Sequence, residues 1–179
     1  MSFEEKSPVI RDTSIAYPSA RDEDWHIAYP LPGVQDKTVA EHCRQLFHAL
    51  EDSCLFDEDE ECHVFPTGKA FYICTNWANL TRRYFGEDRA VVMGYLHDNN
   101  ETSAISEKYE GHDFTLLDGR YIVDGWVTGV GLEKPGRATP GLYDLQNEDD
   151  AAEIARLYGN QAAWELSGSS YESTEPKPF

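Results

Sequence analysis

Asp118-Gly119 stands between two apolar, β-prone runs and constrains the fold more than any other dipeptide in the chain. His112-Asp113-Phe114-Thr115-Leu116-Leu117 precedes it, and Arg120-Tyr121-Ile122-Val123-Asp124-Gly125-Trp126-Val127 follows. Asp-Gly supplies two residues that tolerate positive φ, which a tight antiparallel turn requires. The spacing predicts a β-hairpin over 112–127. Its register stays open. A two-residue turn pairs Leu117 with Arg120 and sets His112 and Asp124 on opposite faces. A three-residue loop, Leu117-Asp118-Gly119 with Gly119 in the left-handed region, pairs Leu116 with Arg120 and sets His112 opposite Asp124. Asp-Gly supports either loop.

Helical spacing appears twice upstream. Val39, Cys43, Leu46, Phe47 and Leu50 recur at that period from Lys37 to about Asp52, with Asp36 as N-cap. From about Thr75 to Phe85, Ile73, Trp77, Leu80 and Tyr84 share one face, and Cys74, Ala78, Thr81 and Phe85 share its neighbour; Gly86 ends the helix. Arg89 to Leu96 is a buried strand by length and β-branching. His97 to Glu110 and Gly129 to Gly141 read as loops. Asn147 caps a short helix, Glu148 to Tyr158, with Asp149 and Asp150 in its first turn. These elements predict an α+β fold, with a cysteine-bearing helix packed on an antiparallel sheet.

Residues 36–166 form one expected domain. Residues 1–35, rich in proline, serine and charge, read as an extended arm, and 167–179 as a disordered tail. The 179 residues suit a single core, and 40% hydrophobic content supports one. A net charge of −18, from 33 acidic and 15 basic residues, argues against nucleic-acid phosphates and anionic membranes as partners and suits a basic surface. The sequence shows neither a signal peptide at Met1 to Lys6 nor a run of roughly 18 apolar residues, so the expectation is a cytoplasmic protein with no membrane partner. Asp57 to Glu61 reads as a solvated acidic loop lacking the glycine and alternating ligands of a calcium loop.

The four cysteines, Cys43, Cys54, Cys62 and Cys74, are spaced by eleven, eight and twelve, with no CxxC, and fit no zinc pattern. Cys43, Cys54 and Cys62 read as reduced structural thiols. His42 and His48, six apart, do not share a helix face, and His63 adjoins Cys62; no metal and no cofactor are expected. Cys74 differs because it opens a helix, where unpaired N–H groups and the dipole favour the reactive thiolate. His112 opens a strand after a glycine, and Asp124 lies late in its partner. If they meet, Asp124 orients the His112 ring, His112 takes the Cys74 proton, and the thiolate attacks a carbonyl, with the Cys74 N–H as one oxyanion donor. Asp118 is a rival for the third position. Trp126 is a candidate for lining a cleft, and Tyr72 and Asn76 flank the nucleophile.

Cys74-Thr75-Asn76-Trp77-Ala78-Asn79-Leu80, Gly86, Arg89 to Tyr95, Gly111-His112-Asp113-Phe114 and Gly119 to Trp126 together resemble the transglutaminase-like, papain-like cysteine domains. The resemblance covers about Lys69 to Val127. It implies a transglutaminase-like core, a Cys74–His112–Asp124 triad, and thiol-dependent amide chemistry on a protein or peptide: hydrolysis, glutamine deamidation or transamidation. The chain departs from the family pattern at Gly68, six before the cysteine, where papain-type proteases carry glutamine. It departs again at Asp113, where a small or apolar residue is usual, and at Gly125, where proline is common. Two other function classes compete: a non-catalytic acidic binding or inhibitor module on the same fold, and a nucleic-acid mimic.

Overall fold

A computed structural model describes residues 37–54, 63–64, 70–71, 73–134 and 139–167. The proposed arm (1–35), the Asp36 cap, the acidic run at 57–61, Cys62, Gly68, Tyr72 and all of the proposed tail except Ser167 lie outside them. In chain order the elements are α1 (Lys37–Cys54), β1 (His63–Val64), β2 (Ala70–Phe71), α2 (Cys74–Phe85), β3 (Ala90–Leu96), α3 (Ala104–Tyr109), β4 (Gly111–Leu117), β5 (Tyr121–Val123), β6 (Leu142–Asp144), α4 (Glu148–Tyr158) and β7 (Glu165–Leu166). The fold is α+β. β1 and β2 pair with each other, and the main sheet has five antiparallel strands in the order β6-β5-β4-β3-β7.

The amphipathic helices form where their period places them. In α2, Trp77, Ala78, Leu80, Thr81, Tyr84 and Phe85 are buried, Arg82 and Arg83 lie in the last turn where the dipole favours cations, and Gly86 ends the helix at φ 97°. Ile73 departs from its expected apolar face: it precedes the first turn and is 46% exposed. α4 begins at the expected cap, with the Asp149 N–H donating to Asn147 Oδ1 at 3.0 Å. Cys43 is fully buried in α1, among Leu46, Phe47 and Leu50.

Side-chain bonds tie α2 to β4. Thr115 Oγ1 donates to the Ala78 carbonyl (2.8 Å), and Thr75 Oγ1 donates to Asp113 Oδ2 (2.6 Å). Asp113 and Thr115 of β4 thus meet α2, while Phe114 turns to Tyr158 and Trp164, with ring centroids 5.0 Å from each.

The hairpin forms, but its details differ from either expected register. Leu117 pairs with Tyr121, Leu116 with Ile122 and Thr115 with Val123. The loop is Asp118-Gly119-Arg120, one residue later than the three-residue alternative, and Asp118 joins Gly119 at positive φ (53° and 63°). Arg89 explains the shift. It grips Asp118 through Nε (3.0 Å) and Nη2 (2.6 Å), and its carbonyl accepts from the Asp118 N–H. These bonds stabilise a conformation that aspartate tolerates better than most residues. Because the offset is even, His112 and Asp124 still belong to one face.

The second strand is also shorter than expected. It ends at Val123, and residues Gly125–Gly129 form a 3₁₀ turn instead of continuing to Val127. At Gly125 the backbone lies against the core: a Cβ there would sit 2.5 Å from Trp77 Cζ2 and 2.6 Å from Phe47 Cδ1. Other corrections come from local capping and pairing. The expected 97–110 loop contains a 3₁₀ turn at His97–Asn99 and the helix α3, whose N-cap Ser103 accepts from the Ser106 N–H. β6 and β7 arise as short edge strands, β6 beside the equally short β5 and β7 beside the longer β3, without alternation of their own.

The two glycines separate backbone strain from packing. Gly119→Ala meets nothing within 4 Å and is expected to cost only the left-handed penalty, about 1 kcal/mol. Gly125→Ala is expected to cost about 2 kcal/mol or more, because Trp77 and Phe47 must move. Urea unfolding of both variants tests the ranking, and an equal loss would refute the packing argument.

Candidate active site

Past Thr115↔Val123, β5 no longer pairs with β4. Asp124 follows at once, its N–H donating to the Gly141 carbonyl at 2.7 Å. That bond turns the carboxylate toward His112, and His112 Nε2 donates to Asp124 Oδ2 at 2.7 Å. Both side chains are enclosed, with 0% and 2% of their surface exposed. The His112 ring lies 4.8 Å from the Trp126 ring and 6.0 Å from Phe114, nearly parallel to the latter. Trp126, considered from the sequence for a cleft wall, is buried against the imidazole.

Cys74 is half-buried at the first position of α2, after an N-cap, Ile73, that makes no side-chain capping bond. It stands beside His112, near enough for the thiol's hydrogen bonding and its charge when ionised to raise the ring's pKa. His112 Nδ1 nevertheless makes no hydrogen bond of ordinary length and angle among the described residues. The structure thus commits His112 Nε2 to Asp124, leaves Nδ1 without a hydrogen bond among the described residues, and sets Cys74 close enough to act on the ring's pKa.

A fourth residue completes this cluster. Tyr158, the last residue of α4 and fully buried, donates its hydroxyl to the same Asp124 Oδ2 at 2.8 Å. Its backbone is fixed in turn: the Tyr158 carbonyl accepts from Asn100 Nδ2 (2.8 Å) and Trp164 Nε1 (2.9 Å). From the sequence Tyr158 reads only as a helix end. A tyrosine on the buried face of a short helix is itself a signal, because its hydroxyl must find a partner inside the protein.

The electrostatics follow from this enclosure. Burial pushes the His112 pKa down, but the Asp124 charge and hydrogen bond, joined by Cys74, outweigh it and raise the ring to about 10. Burial, reinforced by the Asp124 charge, keeps the Tyr158 hydroxyl protonated and able to donate.

Asp118 is no rival here: it is held by Arg89 at the hairpin tip. His42 Nδ1 bonds the Tyr84 hydroxyl at 2.9 Å, a packing role. Among the described residues, no group of three or more histidine, cysteine, aspartate or glutamate side chains is arranged to hold a metal, and no helix is long and apolar enough to cross a membrane. Comparison with family models, with characterised proteins and with solved structures returns no match.

A histidine whose pKa is raised on folding contributes stability that is fully present below the unfolded value, near 6.5, and lost as pH rises through about 10. The urea midpoint of the native protein is therefore expected to fall across that window more steeply than that of His112→Gln. Parallel curves would show that the ring is not held charged.

Proposed function

We propose that Cys74, His112 and Asp124 act as a thiol-nucleophile triad for acyl transfer from an amide, on a transglutaminase-like core. One observation supports this above the rest: the His112 ring is anchored at Nε2 by a buried carboxylate, its Nδ1 makes no hydrogen bond among the described residues, and a half-buried cysteine at a helix start lies close enough to act on its pKa. A purely structural histidine has no need of that orientation.

The chemistry follows from these positions. His112 Nδ1 carries the proton that Cys74 gives up, held there by the Asp124 charge, and Sγ forms a bond to the substrate carbonyl carbon. The developing oxyanion lies at the start of α2, where the Cys74 N–H has no partner within the helix. The tetrahedral species then collapses. The C–N bond breaks, and the imidazolium returns its proton to the departing amine or ammonia. Water attacking the thioester completes hydrolysis or deamidation, and an incoming amine completes transamidation. Asp124 keeps the ring oriented and stabilises its charged form, and Tyr158 keeps Asp124 oriented. The substrate class is a protein or peptide amide. A basic segment beside that amide suits the net charge of −18. A catalytic thiol that must stay reduced suits a cytoplasmic setting.

Cys74→Ala is expected to abolish amide turnover on a peptide library. Asp124→Asn is expected to lower it by about a hundredfold or more, with the fold retained by circular dichroism. Asp118→Asn is expected to leave turnover unchanged, since an exposed ion pair contributes only about 0–1 kcal/mol to stability and asparagine also accepts positive φ. Iodoacetamide alkylation gives a substrate-free readout. Native Cys74 should react faster than the same thiol in urea-unfolded chain. Equal rates would sink the triad and favour the non-catalytic binding module.

A further inference from the structure

Asp113 lies next to His112, and its carboxylate is used twice. Oδ2 accepts from Thr75 Oγ1 at 2.6 Å, and Oδ1 accepts from Ser167 Oγ at 2.7 Å. Thr75 in turn lies next to Cys74. The bond therefore joins the residue after the proposed nucleophile to the residue after the proposed base, bridging two elements 38 positions apart in the chain. The strand beside it makes room: Gly94 pairs with Asp113, and a Cβ on Gly94 would collide with Asp113 Oδ1. Asp113 is thus housed by a missing side chain on one strand, a hydroxyl from the helix and a hydroxyl from the end of β7. His112 Nδ1 makes no hydrogen bond among the described residues, so the approach of Cys74 to the ring depends on what fixes the start of α2 against β4. Ile73 contributes no side-chain cap there. Side-chain bonds between α2 and β4 include that of Thr115, one helical turn further along, and that of Asp113.

We propose that Asp113 is a positioning residue for Cys74, clamping the start of α2 to β4 through Thr75 and held in place itself by Ser167. This rests on the triad reading above and extends it to a residue that touches neither substrate nor thiol. Short charge-assisted O–H···O bonds of this kind are strong and directional, and small displacements of a nucleophile have large effects on rate.

The test uses the full chain and site-resolved iodoacetamide alkylation. Trypsin releases Cys74 in the peptide spanning residues 70–82 and Cys43 in the one spanning 38–44. Cys43, buried in the core, reports in the same sample whether the fold has loosened. Thr75→Val and Asp113→Asn are each expected to slow Cys74 alkylation at least about tenfold while Cys43 stays protected. The double variant should be no slower than the more affected single one, as two halves of one interaction require. Thr75→Ser, which keeps the hydroxyl, should restore the rate to within about twofold. Thr75→Val leaves the Asp113 charge in place, so agreement between the two single variants separates the bond from the charge. A native-like rate in Thr75→Val, or equal impairment in Thr75→Ser, overturns the clamp. So does slowing that appears only together with Cys43 exposure. A native Cys74 no faster than in unfolded chain fails the triad, and the clamp with it, before any variant is compared. A fast native Cys74 indifferent to these substitutions fails the clamp alone.

Discussion

A single buried oxygen, Asp124 Oδ2, accepts two hydrogen bonds, one from His112 Nε2 and one from the Tyr158 hydroxyl. A carboxylate taken out of water without partners is very costly, and breaking one partner of a buried charged pair typically costs about 3–5 kcal/mol. The surrounding architecture answers that demand. β5 must end at Val123 so that Asp124 can leave the ladder, and α4 must dock so that Tyr158 arrives. The Gly141 carbonyl must receive the Asp124 N–H so that the side chain turns inward.

The aromatic shell works in the same direction. Trp126, Phe114 and Tyr158 surround the imidazole and limit its rotation. They also exclude solvent, which strengthens the Asp124–His112 attraction more than burial weakens the ring's charge. Gly125 belongs to the same design. Where proline is common in the resembled family, this chain has a residue small enough for Trp77 and Phe47 to press against the turn just after the carboxylate. Asp113, the other departure seen within the described residues, has partners of its own on α2 and at the end of β7. Both departures thus have local physical causes.

Much of this was legible in the sequence. The amphipathic periods of α1 and α2 placed those helices to within a few residues, because a buried face leaves a regular trace, and the Asn147 cap with its acidic first turn placed α4. Asp118-Gly119 announced the hairpin, and even spacing kept His112 and Asp124 on one face despite a loop displaced by a residue. The observed loop goes with the Arg89–Asp118 bonds, which join residues nearly thirty positions apart, and no local pattern encodes them. α3 was hidden because its six residues are too few for a period and its signal is one capping serine. β6 and β7 were hidden because two or three residues become a strand only when a neighbour offers them a ladder. Tyr158 was missed for a related reason: its meaning depends on Asp124, 34 positions away.

That separation bears on how the protein is made. Hydrogen bonds between distant parts of a chain require loop closure before they return any stabilisation, which slows their formation. The hairpin can form as soon as residues 111–123 exist, yet Asp124 acquires its second donor only when the end of α4 has docked. During synthesis the hairpin therefore precedes the completed charge network. A growing chain that has not yet reached Tyr158 carries its hairpin but not the second donor to Asp124, so the buried His112–Asp124 pair is completed only after α4 has been made.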